Sequence, residues 1–528
     1  MYMLSDFNLK RKDYILILAL TIFSIVLVSY YINFNQHLGI YCSDVYLYLL
    51  NALYFTGVNI NSVQTIYLSP IICFLTSILF DIGIKDNLAI FIITGLFAII
   101  GNIGLYILLK MKFNELMSFT GVILFSTFSI NLTWLANGSL DIPAVSMTIW
   151  IMVLSFIAIH KNPKYYLIAF PTFAIGFFTR YTVILIIPVL ILCYLYNKGF
   201  KIGKNDLNYM IKGIILTIMV SAIILIPILI MGNGNFGASS QISGGISGTL
   251  GSNQDLAYNT DKGYYISNFM NFISSSKVIF ENRTPVLENS TFLSYLIIGI
   301  LAIGTLLYLI KKKFEFNNKN QIIGAILLFS SVLTFGHLSS FITIILVFMG
   351  LMMIGRNIEE QTDMVMLGWI LVYLIFFSYY DIKVNRYIIP IIPPLIYFIL
   401  SSINLIHEKI KINGNIIPII LIFLFVIQAG AFCYSFEDTN QFKTPEEISQ
   451  YIIENIPEYN HEKIGSYNTR IYNWYLKNNV TAITSNTPDI IIESNVSYYI
   501  SDIPQNDLNS YEEIKNINNI YLYKKLSV

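Results

Sequence analysis

"SPIICFLTSILF", residues 69–80, decides how the rest of the chain is read. The run is apolar enough for lipid but far shorter than the ~20 residues a helix needs to cross the hydrocarbon core. Taken as a helix lying in the membrane interface, it leaves every later basic loop on one side. Taken as a span, it moves all of them to the other. We read it as juxtamembrane.

Outward from that run the chain keeps the same character. Its 528 residues are 55% hydrophobic and 12% charged, against about 25% charged in soluble domains. Repeated apolar runs broken by short polar links identify the second solvent as a bilayer. Upstream, "LKRKDYILILALTIFSIVLVSYYIN", residues 9–33, sets Lys10, Arg11 and Lys12 before a long apolar run without a small-residue cleavage site. This predicts an uncleaved first helix with a cytoplasmic N-terminus.

Basic residues then mark the inner loops: Lys110 and Lys112, Lys161 and Lys164, Lys198 to Lys204, Lys311 to Lys319, Arg356, and Lys409 with Lys411. The resulting path has about thirteen spans, roughly 14–33, 88–109, 115–132, 143–159, 165–179, 181–196, 208–231, 291–310, 321–336, 338–355, 364–380, 387–406 and 415–434. The count turns on two junctions, Arg180 and His337, where short spans meet; fusing either pair would reverse the sides downstream. The N-x-S/T triplets at Asn137, Asn282, Asn289, Asn479 and Asn495 all fall on predicted outer segments.

Residues 1–434 thus form the membrane domain, with a first outer loop at about 34–87 and a second at about 232–290. The second opens with a Gly/Ser/Asn stretch expected to be mobile. It continues as "YYISNFMNFISSSKVIF", whose apolar spacing predicts a helix on the membrane surface. From 435 to 528 the composition changes. Thr444, Pro445 and Glu447 predict a capped helix start. Short β-prone runs ("KIGSYN", "VTAIT", "VSYYISD", "IYLYKKL") around a helical "IYNWYLKNN" predict a small extracytoplasmic α/β domain. The expected fold class is therefore an α-helical polytopic membrane protein with that domain at its C-terminus.

Net charge of +1 with dispersed basic residues argues against a nucleic-acid partner. Cys42, Cys73, Cys193 and Cys433 form no metal-like spacing. No cofactor is expected; a divalent ion shared by Asp44 and Asp141 is chemically possible, but no ligand spacing supports it.

Charges in or beside membrane spans are costly and point to function. On the outer side stand Asp44, Asp141, Arg180, His337, Asp381, Lys383 and Arg386. Each has a plainer reading. Asp44 could be a solvated loop acid, Asp141 a helix N-cap, Arg180 a snorkelling side chain. Lys383 and Arg386 could be offset by Asp381, and His337 fits a hairpin tip.

"SDVYLYLLNALYFTG", "YLSPIICFLTSILFDIG", "SLDIPAVSM", "IGFFTRYTVILIIP" and "NRYIIPIIPPL" follow one another in an order that resembles the GT-C superfamily of lipid-linked-sugar glycosyltransferases. The nearest likeness is to the dolichyl-phosphate-mannose protein mannosyltransferases and the aminoarabinose transferases of lipid A. The resemblance implies inverting transfer of a sugar from a polyprenyl phosphate to an acceptor hydroxyl on the outer face. It also implies that Asp44 is the general base, although Val45 stands where the family often has a second acid. One positioned base suffices for a hydroxyl nucleophile. A lipid phosphate leaves as a stable anion and needs cations rather than an acid. The expected substrate-binding residues are Asp141, Arg180, Lys383, Arg386 and Tyr387. Expected partners are the polyprenyl-phosphate-linked sugar donor, an acceptor glycan, lipid or protein, and the bilayer of a cell membrane. The rival readings are a flippase of lipid-linked sugars and a polysaccharide polymerase.

Overall fold

The computed structural model describes residues 8–58, 60, 70–231, 261–281, 283–311, 319–355, 361–410, 413–437 and 440–526. The expected mobile stretch at the start of the second outer loop lies outside the described residues, as does Asn282.

Every predicted span falls on a helix. In chain order the helices are α1 (Arg11–Leu38), α2 (Ser43–Phe55), α3 (Pro70–Asp81), α4 (Asn87–Lys110), α5 (Glu115–Thr127), α6 (Ser129–Thr133), α7 (Asp141–His160), α8 (Tyr166–Thr179), α9 (Ile187–Lys198) and α10 (Lys204–Met231). They continue as α11 (Phe292–Lys311), α12 (Lys319–Leu333), α13 (Ser340–Gly355), α14 (Gln361–Tyr379), α15 (Ile392–Ile410) and α16 (Ile416–Phe432). Among the described residues nine helical segments are long and apolar enough to cross a membrane. The other predicted spans fall on the shorter α5, α8, α12 and α13. The 69–80 run is α3, a helix of 12 residues packed on α2.

Both doubtful junctions are breaks. Arg180 has extended backbone (φ −159°, ψ 127°) between α8 and a 3-10 turn that leads into α9. His337 is exposed in the turn between α12 and α13, which pack against each other.

Polar groups are sorted between the two ends of the bundle. At the end holding the predicted inner loops, buried Asp13 accepts from the Lys10 backbone amide at 2.7 Å and from the Tyr106 hydroxyl at 2.8 Å, with Lys110 at 3.8 Å. Lys112 pairs with Asp363 at 2.5 Å, and Tyr397 donates to the same carboxylate. Such partners offset the cost of burying a charge, which unpaired would reach several kcal/mol.

The outer segments depart from expectation in three places. Residues 264–280 give only two short helices, Tyr264–Ser267 and Phe269–Ile273, before the chain extends into β1 (Ser275–Glu281), antiparallel to β2 (Thr284–Ser290). Ser275 and Val278 are buried while Ser276 and Glu281 are exposed, and it is the pairing with β2 that holds the segment extended. Thr444 does not cap its helix: Lys443 is the N-cap, its ammonium pairs with Glu446 at 2.8 Å, and Thr444 accepts from Asn518. Asn137 is buried, its amide donating to the Tyr41 hydroxyl at 2.7 Å, so that triplet cannot receive a glycan.

The C-terminal part is the expected α/β domain. It comprises α17 (Thr444–Asn455), β3 (Ile464–Ser466), α18 (Thr469–Leu476), β4 (Thr481–Ala482), α19 (Pro488–Ser494), β5 (Tyr498–Ser501), β6 (Tyr511–Ile517) and β7 (Ile520–Lys525). The sheet order is β4-β3-β5-β7-β6, parallel among the first three strands and antiparallel beyond. Helix α19 and strand β6 are absent from the sequence reading. The domain sits on the membrane helices through α18. Trp474 stacks on Phe80 of α3 (centroids 5.8 Å apart) and donates to Asn87 at 2.7 Å, while Tyr475 meets Tyr46 of α2.

Candidate active site

The site is assembled around the loop from Trp134 to Leu140, which joins α6 to α7. Asn35 of α1 donates to the carbonyls of Leu135 (2.9 Å) and Ala136 (3.1 Å), and Tyr41 donates to Thr133. Asn137 accepts from the Ser139 amide at 3.0 Å. Gly138 then turns the chain at φ +88°, a conformation that favours glycine; a Cβ there would lie 2.6 Å from Val45 Cγ1. This close approach brings the first turn of α2, with Asp44, beside the first turn of α7, with Asp141.

The cations arrive from two other breaks in the bundle. Arg180 sits at the extended junction before α9. Arg386 lies in a 3-10 turn, Asn385–Ile391, that feeds α15. Trp134 donates its indole N–H to Asn385 at 3.0 Å and so fixes where that turn begins. Pro390, Pro393 and Pro394 lie in the 3-10 segment and the first turn of α15, where a missing N–H costs little.

The four groups form an alternating row. Arg386 Nη2 meets Asp44 Oδ2 at 2.6 Å and its Nη1 donates to Cys42 Sγ at 3.0 Å. Its Nε lies 3.7 Å from Asp141 Oδ2, which Arg180 Nη1 approaches at 2.8 Å. Arg386 Nε and Asp141 Oδ2 face each other without a hydrogen bond to either. Aromatic faces wall the row: Arg386 lies 5.3 Å from the Trp134 centroid, and Arg180 lies 5.4 Å from that of Tyr387. Tyr387 in turn stacks on Phe377 at 4.8 Å.

The two carboxylates differ in access. The Asp141 side chain is 3% exposed, whereas Asp44 keeps 37%. Asp141 is locked between arginines, while Asp44 faces outward and can reach a ligand. Burial pushes the Asp44 carboxyl up, but the charge and hydrogen bond of Arg386, helped by Arg180 and Arg470, outweigh it and hold the group below the usual carboxylate range. Between the two carboxylates the cation is a guanidinium.

Of the residues expected at the site, Asp44, Asp141, Arg180, Arg386 and Tyr387 come together. Lys383 does not join them. It is buried, its ammonium donates to the Tyr380 carbonyl, and the charges acting on it are Asp381, Lys262 and Asp261. Its position in a tight turn after α14 directs it back along its own loop. The sequence reading missed Cys42 and Trp134, which hold Arg386, and two cations at the same end of the bundle. Arg283, at the β1–β2 turn, donates to the Ile40 carbonyl at 3.1 Å, and Arg470 begins α18. Only Trp134 carried a local signal, lying five residues before the "SLDIPAVSM" run.

A sequence profile of the dolichyl-phosphate-mannose-protein mannosyltransferase family matches residues 68–229, a stretch that contains Asp141 and Arg180 but neither Asp44 nor Arg386. No curated protein matches the sequence. Among solved structures, ArnT from Cupriavidus metallidurans bound to undecaprenyl phosphate has TM-score 0.59 at 9% identity, covering 98% of this chain and 99% of that one. The apo state of the same protein has TM-score 0.56 at 8% identity, covering 96% and 97%. The chain therefore has the fold of ArnT along nearly its whole length and resembles the GT-C glycosyltransferases.

Proposed function

We propose that this chain is a membrane glycosyltransferase that moves a sugar from a polyprenyl-phosphate donor to an acceptor hydroxyl, with inversion, using Asp44 as general base. The observation that carries this reading is the pairing of Asp44, the open carboxylate, with Arg386 at the end of the bundle opposite the basic loops. A base and a phosphate-binding cation stand side by side where lipid-borne and water-borne substrates meet. The similar ArnT structure that holds undecaprenyl phosphate supports this class of donor.

The chain's own groups supply the steps. The donor phosphate takes Arg386 and Arg180 as counter-ions. Drawing Arg386 toward phosphate frees the Asp44 oxygen that it now covers. The acceptor hydroxyl gives its proton to Asp44 as its oxygen forms a bond to the anomeric carbon. The bond from that carbon to the phosphate oxygen breaks on the opposite face, and the electron pair leaves with the phosphate, whose charge the arginines hold. No acid is needed, unlike glycoside hydrolysis with its poorer leaving group. The buried Asp141 keeps both guanidinium groups oriented.

Purified Asp44→Asn protein, assayed for sugar transfer from a polyprenyl-phosphate sugar, is expected to lose about 10²–10⁴-fold in rate. The residue keeps its shape and loses only its basicity. Transfer near the wild-type rate would remove Asp44 as the base.

A further inference from the structure

The C-terminal domain holds a polar cluster that the mechanism above does not use. Strand β3 is flanked by two parallel partners, with Ser466 opposite Ala482 on β4 and opposite Ile500 on β5. From β3 the chain leaves through α18 toward β4; from β5 it leaves the other way, toward β6 and β7. The loops at the carboxyl ends of β3 and β5 therefore diverge. Such a reversal opens the crevice in which α/β sheets bind ligands.

The residues that follow the strands meet in that crevice. Asp502, directly after β5, accepts from Asn468 Nδ2 at 3.3 Å and from Asn486 Nδ2 at 3.4 Å. Tyr499 donates to Asn486 Oδ1 at 2.7 Å, which fixes the direction of that amide. Among the described residues no ion pair reaches Asp502, and its side chain is exposed. Tyr467, directly after β3, is 56% exposed. A carboxylate whose two amide contacts are long, with an exposed phenol ring one residue before Asn468, suits a ligand dense in hydroxyl groups. The hydroxyls can replace the long bonds, and the ring can cover an apolar sugar face. The uncompensated carboxylate disfavours an anion.

Helix α18 links the cluster to the helices that carry the proposed reaction centre. Asn468 stands at one end of α18, a helix of 8 residues, about 12 Å long at 1.5 Å per residue. The far end of that helix docks on α2, α3 and Asn87. Arg470, on its first turn, is one of the charges that act on Asp44.

We infer that Asn468, Asn486, Asp502 and Tyr467 form a subsite for a neutral saccharide acceptor, which passes Arg470 to present a hydroxyl at Asp44. Naming the saccharide an acceptor rests on the reading of Asp44 as the base; binding of saccharide at Asp502 does not.

The test uses the full chain in lipid nanodiscs and saturation-transfer NMR with neutral tetrasaccharides of glucose, mannose and N-acetylglucosamine. At least one should give a signal that Asp502→Asn and Asn468→Ala abolish and Asp44→Asn retains. Both altered residues are at the surface, so folding should survive. No signal from any saccharide, or a signal indifferent to Asp502→Asn, would overturn the subsite. In transfer assays with a saccharide that binds, Asp502→Asn should raise the acceptor KM about tenfold, the worth of one charge-assisted hydrogen bond, with kcat kept. A fall in kcat at unchanged KM would also overturn it. Full activity of Asp44→Asn would sink the base assignment while leaving the saccharide site standing.

Discussion

Asp44 and Asp141 are the same residue type and touch the same arginine, yet they differ in access, and the proposed mechanism divides them on that difference. The ion pair with Arg386 leaves Asp44 ionised at neutral pH yet covers the oxygen that would take the proton in the proposed transfer. Binding of a donor phosphate weakens that pair while the burial that pushes the carboxyl up remains, so the Asp44 pKa should rise in the complex. The acid limb of kcat/KM for donor, which reports the free protein, should then fall at lower pH than the limb of kcat, which reports the complex. Coincident limbs would mean that Arg386 stays on Asp44 throughout. Asp141 offers a stability test. Arg180→Met leaves its carboxylate buried beside only the longer contact to Arg386, and losing one partner of a buried pair costs about 3–5 kcal/mol. Thermal unfolding should show the drop, and Arg180→Met with Asp141→Asn should regain part of it. If the double variant is no more stable than the single one, the Arg180–Asp141 pair is not what holds this corner.

At the level of single elements, helices were legible because lipid demands long apolar runs, and the basic loops at one end follow the same physics. What failed were features shorter than the pattern used to find them. The 264–280 run reads as helical because its apolar residues recur at both spacings, and β2 decides the matter from outside it. Thr444 has the right neighbours for a cap, but its hydroxyl accepts from Asn518 in the turn between β6 and β7. Gly138 is a further case, since nothing near it in sequence says that α2 must touch it. Gly138→Ala meets a positive φ, a strain of about 1–3 kcal/mol, and drives a methyl into Val45. It should lower the unfolding temperature and cut transfer by displacing Asp44. Val45→Ala in the same chain removes the clash and should restore part of the transfer rate. No recovery would show that the backbone strain, rather than the shift of α2, causes the loss.

The whole molecule brings together groups that the chain keeps far apart: Arg386 bonds a carboxylate 342 residues before it. Sequence order and sidedness could bring Asp44, Asp141, Arg180 and Arg386 to one end of the bundle, but no rule of spacing says that Lys383 turns away or that α18 rests beside Asp44. That second fact sets the C-terminal domain beside the proposed site, and its anchor is small. Trp474 is 1% exposed and supplies both the stack on Phe80 and the bond to Asn87. Trp474→Ala removes both, and truncating a buried tryptophan costs about 3–5 kcal/mol. The membrane helices do not depend on this contact, so the loss should appear as undocking rather than general unfolding. Limited proteolysis should cut faster between α16 and α17, and phosphate-dependent donor binding should persist. Acceptor transfer should fall, because Arg470 and the crevice beyond it would no longer be held against α2. Unchanged proteolysis with unchanged transfer would mean that Tyr475 and the contacts of Phe436, Phe442 and Lys443 suffice to seat the domain. Faster proteolysis with full transfer would mean instead that the domain is dispensable to the reaction, and the catalytic unit would end with α16.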